Sequence, residues 1–217
     1  MSLTAAQQVF GAIHEDALND IVRAVLTTRP RYTLYGSPAF VPATTVTATQ
    51  VAPIPFPGIA GGIEWRVAFD IPVIDLFRQD APLPPQLALG PGQFSLSTNV
   101  QICLNCARLV DQPNPGLQED SVLACAALSV YGVGHLDSFN AASGAGEVTL
   151  HLDDVELVDV TPNGLESVFE CLILQVLTAA LAQVRLPIPV LRAGAFQLLV
   201  ADGPDIDDDQ IKVFGTL

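Results

Sequence analysis

Hydrophobic side chains recur on nearly every side of the stretch from Asn163 to Val184 when it is drawn as a helix. A helix on the surface of a protein usually has one apolar stripe and one charged face. Here Glu166, Glu170 and Gln175 are the only strongly polar side chains before the last turn. Asn163 and Glu166 have the spacing of a capping box, which marks a helix start. The pattern therefore predicts a long apolar helix that the rest of the chain covers on most sides.

A second apolar pattern with helical spacing lies near the N-terminus, and it predicts a helix from Thr4 to Leu26. Thr4 can cap the first turn, and Pro30 cannot continue the helix beyond its predicted end. The polar side of this helix includes His14. Its apolar face contains Phe10, Ile13, Ala17, Ile21 and Ala24.

Most of the remaining chain alternates between apolar and polar residues, which indicates β-strands. The predicted strands are Arg31–Tyr35, Thr44–Val51, Ile63–Ile71, Gln93–Ala107, Val122–Leu136, Glu147–Val160, Val190–Ala201 and Gln210–Leu217. The pair Asp153-Asp154 interrupts the alternation of its strand and predicts a β-bulge. The order of elements is helix, many strands, helix, two strands, which is typical of a single α+β domain over residues 1–217. Such long strands favour a highly curved antiparallel sheet rolled around the apolar helix, with the N-terminal helix as a second one.

The composition is unusually apolar, with 50% hydrophobic and 15% charged residues. A typical soluble domain has about 25% charged residues. No segment reaches the roughly 20 uninterrupted apolar residues of a membrane span, so we expect a protein that does not cross a membrane. The first residues, Met1 to Gly11, lack the basic and apolar regions of a signal peptide. This favours a cytoplasmic location but leaves the compartment open.

The net charge of −14 excludes nucleic acid as an expected partner, because phosphate binding needs clustered lysines and arginines. Acidic residues concentrate in a predicted loop between the last two strands: Asp202, Asp205, Asp207, Asp208 and Asp209. This loop lacks the spacing of a calcium-binding EF-hand and the glutamate that ends it. We expect a solvated hairpin, with weak calcium binding as the alternative.

The cysteines Cys103 and Cys106 have a spacing that is common in metal sites, but Cys125 and Cys171 stand alone. On a strand, two residues three apart point to opposite faces. We expect buried or half-buried free thiols, with a structural metal or a disulfide as alternatives.

The histidines His14, His135 and His151 are scattered along the chain, and we expect His14 and His151 to be solvated. No nucleophile elbow, phosphate-binding loop, dinucleotide motif or zinc-protease helix is present. The sequence therefore predicts no catalytic residue, no metal site and no cofactor, and it favours a protein that is not an enzyme.

The C-terminal order of elements resembles the tubular lipid-binding superfamily, which includes bactericidal/permeability-increasing protein. The similarity consists of the strand Val148–Val160, the apolar helix, the exit Leu186-Pro187-Ile188-Pro189 and a last strand that contains Asp208-Asp209-Gln210-Ile211-Lys212-Val213. This order covers about a quarter of the chain, and the rest matches by strand pattern and length. The resemblance implies a curved sheet around a long helix, with a lipid tunnel between them.

The resemblance also implies which residues face the tunnel. On the first helix they are Phe10, Ile13, Ala17 and Ile21, and on the second they are Phe169, Leu172, Ile173, Val176, Ala180 and Leu181. The chain departs from the family in having one module, no evident counterpart of the disulfide that many members have, and no cationic tip. Antibacterial activity and endotoxin binding are therefore not expected.

Three functions are consistent with these patterns. The first is non-enzymatic binding or transfer of a hydrophobic ligand, such as a lipid, fatty acid or isoprenoid, whose burial gives about 0.8 kcal/mol per CH₂. The second is a component of a protein assembly, as in some bacterial toxin-associated relatives, with a filled interior and a protein partner or a second copy. The third is a hydrolase on an unrecognised β-rich scaffold.

Overall fold

The computed structural model describes residues 9–57, 59–76, 83–106, 124–140, 146–158, 163–188, 192–193, 196–197, 199–207 and 209–216. It has a mixed α+β architecture with a strongly curled half-barrel sheet and two helices. The helices are α1 (Glu15–Thr28) and α2 (Asn163–Leu181), and a 3₁₀ turn covers Pro30–Tyr32. The strands are β1 (Val9–His14), β2 (Leu34–Gly36), β3 (Thr49–Gln50), β4 (Ile54–Phe56), β5 (Ile59–Phe69), β6 (Val73–Leu76), β7 (Gln93–Cys106), β8 (Ala124–Asn140), β9 (Gly146–Val158), β10 (Arg185–Ile188), β11 (Arg192–Ala193), β12 (Phe196–Gln197), β13 (Leu199–Asp207) and β14 (Gln210–Thr216).

Nine strands form the main sheet in the order β10-β9-β8-β7-β5-β2-β3, with β4 paired to β5 and β6 paired to β7. Its pairs are antiparallel except for β2 and β3. A separate sheet has the order β1-β14-β13, and β11 pairs with β12. The N-terminal strand thus joins the C-terminal hairpin.

The long strands follow the predicted alternation closely. Strand β5 buries Trp65, Val67 and Phe69, the face that the sequence indicates. Strand β7 begins at the predicted residue and buries Phe94 and Leu96 in the same phase. The shorter predictions were less accurate, because Arg31 and Tyr32 belong to the 3₁₀ turn and only Thr49–Gln50 of the next predicted strand pairs.

The predicted bulge in β9 is confirmed. Val133 pairs with Asp154 but Gly134 pairs with Leu152, so Asp153 is an extra residue on β9. The buried phase of the strand changes at this point: Val148, Leu150 and Leu152 are buried before it, and Val155 and Leu157 after it. One inserted residue reverses which side chains face the core.

The predicted helix from Thr4 to Leu26 is wrong in its first part, and Thr4 lies outside the described residues. Val9–His14 is a strand that pairs with β14, and α1 begins only at Glu15. The side chain of His14 caps α1 by accepting a hydrogen bond from the amide N–H of Asp16 at 3.2 Å. The apolar pattern of Val9–His14 is compatible with a helix and with a strand. Pairing with the distant strand β14 favours the strand.

Helix α2 begins as predicted and ends at Leu181, three residues before the predicted end. Its core-facing side chains Ile173, Leu177 and Leu181 are fully buried. Val168 is 52% exposed and Gln175 is also exposed, so the described part of α2 is not enclosed on every side.

The predicted acidic loop from Asp202 to Asp209 is also wrong, because β13 continues to Asp207 and pairs there with Gln210. Asp209, directly before β14, has a φ of 60°. Short polar residues tolerate this left-handed conformation better than others. The alternation of the strand is obscured by two irregularities, between Val200 and Asp202 and between Asp202 and Asp205.

The buried hydrophobic side chains form a core cluster that joins both helices to the curled sheet. Helix α1 contributes Leu18, Val22 and Leu26, which are at most 1% exposed. This helix packs on β6, whereas α2 packs on β9, so the two helices cover different parts of the sheet.

Candidate functional site

The predicted ligand residues of α2 fall into two groups by burial. Phe169 and Leu172 are partly buried and pack on the core from its edge. The other four are core residues that are at most 5% exposed: Ile173, Val176, Ala180 and Leu181. The structure therefore brings all six to one side of α2, where they adjoin the core.

The predicted residues near the N-terminus lie on two different elements. Phe10 and Ile13 belong to β1 instead of a helix, and both are partly buried. Ala17 and Ile21 lie on α1, where Ala17 is exposed and Ile21 packs partly on the core. The expected single helical face of four residues is thus divided between a strand and a helix.

A groove of about 450 Å³ lies between the end of α1 and the segment that joins α2 to β10. Ala24, Val25, Thr28 and Arg29 form one wall, and Gln183 and Arg185 form the other. None of the ten predicted ligand residues lines it. Sequence reasoning missed this site because its two walls are more than 150 residues apart in the chain.

Helical geometry connects the groove to several of the predicted residues. At 3.6 residues per turn, Ala17 and Ile21 lie on the same side of α1 as Ala24 and Thr28. This side borders the buried stripe of Leu18, Val22 and Leu26. On α2, Phe169 and Leu172 lie at the edge of the buried face. This face continues along the helix to its C-terminal end, close to Gln183 in the sequence.

The groove has two cationic side chains, although the whole chain has only nine lysines and arginines. The Arg185 guanidinium lies 3.0 Å from the Glu147 carboxylate in a pair that is largely exposed. Arg29 forms no ion pair with another described residue. The chain as a whole has a net charge of −14, whereas this groove has two positively charged side chains that could attract an anion.

A group of three carboxylates lies at the contact between α2 and β9. Glu156 on β9 adjoins Glu166 and Glu170 on α2, and all three are partly buried. Burial raises the pKa of Glu156, and the neighbouring charges of Glu170, Glu166 and Asp154 raise this pKa further. Like charges at such short range disfavour the ionised form of Glu156.

The structure brings two of the three histidines together. His135 on β8 is directly opposite His151 on β9, and both side chains are partly exposed. His14 is apart from them, at the start of α1. In the described part of the chain, no serine, threonine or cysteine side chain forms a hydrogen bond with a histidine. The hydrolase hypothesis therefore lacks a described nucleophile.

The expectation of free thiols is wrong for two cysteines, because Cys103 and Cys125 form a disulfide. These residues are directly opposite each other on β7 and β8. Cys171 is free and exposed, and the side chain of Cys106 lies outside what the structure describes. The spacing from Cys103 to Cys106 suggested the wrong pair, since only the register of β7 and β8 shows which cysteines meet.

Within the described residues, no helix is both long enough and apolar enough to cross a membrane.

No protein-family model and no curated protein matches this chain. A crystal structure of lipopolysaccharide binding protein is similar to it, at 17% sequence identity and a TM-score of 0.35. The match covers 100% of this chain and 41% of that chain, so this chain spans about two fifths of its neighbour's length. A likeness of this degree carries no argument about ligand or mechanism.

Proposed function

We propose that this protein is a non-enzymatic binding module for a hydrophobic ligand with an anionic group. The acyl or isoprenoid part would lie along the partly buried edges of α1 and α2, and the anionic group would lie at Arg29 and Arg185. The observation that carries this proposal is the groove of about 450 Å³ between the end of α1 and the segment that joins α2 to β10, which combines the apolar side chains of Ala24 and Val25 with two arginines.

The partly buried residues are the best candidates for first contact with the apolar part. Ile21, Phe169 and Leu172 pack on the core with one side and leave part of their surface accessible. Each CH₂ group that the ligand buried against such surfaces would contribute about 0.8 kcal/mol. The buried side chains Ile173, Val176, Ala180 and Leu181 would be reached only if α2 separated from the sheet. Phe10 and Ile13 on β1, with Ala17 on α1, would be further contacts of the same ligand.

The arginines support an anionic head group, because a guanidinium can hold a carboxylate or phosphate with two parallel hydrogen bonds. Arg185 is already oriented by Glu147, while Arg29 is available among the described residues. A ligand anion would compete with an exposed ion pair that is worth at most about 1 kcal/mol.

The test is a titration of delipidated protein with a fluorescent C18 fatty acid, together with native mass spectrometry of gently purified protein. Ala24→Trp fills the groove and should weaken fatty-acid binding at least about tenfold. Thr27→Trp is the matched control, since Thr27 is exposed on the same turn of α1 but does not line the groove. Absence of a copurified ligand together with absence of saturable uptake would overturn the proposal.

The head group is tested separately with charge variants. Arg29→Gln and Arg185→Gln should weaken binding of the fatty acid more than binding of its methyl ester. Arg23→Gln is the control, because Arg23 is an exposed arginine of α1 that pairs with Asp20 outside the groove. Equal effects of all three variants would show that the groove is not where the anion binds.

Exposed apolar side chains support the second function, a component of a protein assembly. The core cluster joins α1, α2 and the sheet through side chains that are at most 6% exposed, and further hydrophobic side chains pack on it partly buried. Val73 on β6 and Val168 on α2 are each more than half exposed and could contact a partner or a second copy. Val73→Asp and Val168→Asp would then shift the protein to a smaller species in size-exclusion chromatography without changing fatty-acid uptake.

A further inference from the structure

The pair of strands β8 and β9 places a cluster of two histidines and one aspartate on the solvent-facing side of the main sheet. His135 and His151 are directly opposite, with ring centroids 4.8 Å apart. Leu150 and Leu152, which flank His151 along β9, face the core, so His151 and the opposite His135 face away from it. A sheet position of this kind holds side chains in a fixed mutual arrangement.

The bulge in β9 brings the third member of the cluster into place. Asp153 is the extra residue, and its carboxylate Oδ1 lies 2.7 Å from His135 Nδ1 and 3.5 Å from His151 Nδ1. The potential ligand atoms of all three residues lie within 4.8 Å of one another. In a tetrahedral zinc site with bonds of about 2.0–2.2 Å, neighbouring ligand atoms are about 3.3–3.5 Å apart. The separation of 3.5 Å between His151 Nδ1 and Asp153 Oδ1 fits this spacing, whereas the 2.7 Å contact of His135 with Asp153 is a hydrogen bond that a bound metal would replace.

Two neighbouring side chains orient these ligands from outside. Asp137 Oδ1 lies 3.4 Å from His135 Nε2 in an ion-pair contact, and with the hydrogen on Nε2 the lone pair of Nδ1 would face Asp153 and a bound metal. Gln93 Nε2 donates to Asp153 Oδ2 at 3.3 Å, which directs Oδ1 towards the histidines. A carboxylate or amide that fixes a ligand in this way is the usual environment of histidines that bind metals.

We propose that His135, His151 and Asp153 bind a divalent transition-metal ion, with Zn²⁺ as the expected occupant and water completing its coordination. Two imidazoles and one carboxylate are a ligand set that zinc accepts, and hard ions such as Ca²⁺ and Mg²⁺ prefer sites made of oxygens alone. The site is separate from the groove at the end of α1 and does not depend on the ligand proposed for that groove.

The experiment is calorimetric titration of the tag-free, chelator-treated full chain with ZnCl₂, and the expected result is one saturable site per chain. His151→Ala and Asp153→Asn should each weaken zinc binding at least about tenfold. His14→Ala is the matched control, since His14 also lies beside a carboxylate, 3.4 Å from Asp16, but has no second histidine near it. Asp137→Asn, which changes a positioning residue, should have a smaller effect than loss of a ligand.

Thermal unfolding without metal checks that each variant folds, and all three ligands are partly exposed, so little destabilisation is expected. Replacement of zinc by Co²⁺ gives an independent readout, because cobalt bound to imidazole nitrogen has a visible absorption band that His151→Ala should remove. The proposal is overturned if the wild-type chain shows no saturable site, or if His14→Ala weakens binding as much as His151→Ala. It is equally overturned if Glu166→Gln, in the group of three carboxylates, abolishes binding while His151→Ala does not.

Discussion

The side-chain amide of Asn19 on α1 forms both hydrogen bonds that a neighbouring strand would form with Ile74 on β6. Asn19 Nδ2 donates to the Ile74 carbonyl at 2.8 Å, and the Ile74 amide N–H donates to Asn19 Oδ1 at 2.8 Å. The amide N–H of Leu76 donates to the carboxylate of Glu15 in the same way, at 2.8 Å. Helix α1 therefore closes the edge of β6 that β7 does not cover, and it does so with polar side chains.

Asn19→Ala should destabilise the protein by about 2 kcal/mol. The substitution leaves a buried N–H and a buried C=O of Ile74 without their partners, and each such group costs about 1–3 kcal/mol before rearrangement. Urea unfolding measures the change. Thr27→Ala, at an exposed position of the same helix, should change stability by less than about 0.5 kcal/mol. An equal effect of the two variants would contradict this account of the β6 edge.

Gly134→Ala should destabilise the protein by about 1–3 kcal/mol, the usual cost of inserting a methyl group into packed structure. Next to the bulge at Asp153, β8 approaches β9 so closely that a Cβ at Gly134 would collide with the His151 carbonyl oxygen and the Phe94 ring. Gly11→Ala in β1 is the control, since its added Cβ would meet only Val213 at an ordinary 3.6 Å. Thermal unfolding of both variants tests the difference, and a neutral Gly134→Ala would show that the strands can separate there.

The sequence predicts best where the pattern is long and local. The alternation in β5 and β7 identifies their core faces, and Asp153-Asp154 marks the bulge because a change of phase is visible within one strand. The pattern over Val9–His14 misled because it fits a helix and a strand equally well, and the partner β14 is about 200 residues away.

The sites are less predictable because each depends on register or on contacts between distant segments. Cys103 meets Cys125, and His135 meets His151, only in the register of β8 with its two neighbours. Two signals could have predicted that these histidines are opposite each other. They are the Gly-containing segment between β8 and β9 and the bulge at Asp153. The groove joins Val25 to Arg185, and no local pattern connects those residues.

Replacement of both Cys103 and Cys125 by serine should destabilise the protein by about 3 kcal/mol. The bridge closes a loop with a sequence separation of 22 residues, and a crosslink of this span restricts the unfolded chain by about that amount. Cys171→Ser is the control, because Cys171 is a free and exposed thiol. Non-reducing peptide mapping should find Cys103 joined to Cys125, and a Cys103–Cys106 product would contradict the strand register.

Because disulfides persist mainly in oxidising compartments, the pairing of Cys103 with Cys125 is at odds with the expected cytoplasmic location.

Glu156→Gln should stabilise the protein at pH 7, with a rise in Tm of roughly 1–3 °C, the effect expected when a modest like-charge repulsion is removed. Burial, and after it the charges of Glu170, Glu166 and Asp154, raise the pKa of Glu156 in the folded state. The folded protein therefore binds more protons than the unfolded chain between the ordinary pKa of 4.5 and the raised value. Stability falls as the pH rises through this window. The advantage of Glu156→Gln should accordingly shrink as the pH falls from the raised pKa towards 4.5, and it should be lost below about 4.5, where the wild-type carboxyl is protonated in both states.

The sign of this effect distinguishes Glu156 from Glu147 on the same strand. Glu147 lies 3.0 Å from Arg185, so Glu147→Gln removes an attraction and should lower Tm slightly at pH 7. Differential scanning calorimetry of both variants from pH 4 to pH 8 measures the two trends. A lower Tm of Glu156→Gln at pH 7 would contradict this account. The wild-type Glu156 carboxylate would then be stabilised by a favourable contact that outweighs the repulsion from its three acidic neighbours. The repulsion between α2 and β9 would not be the controlling interaction.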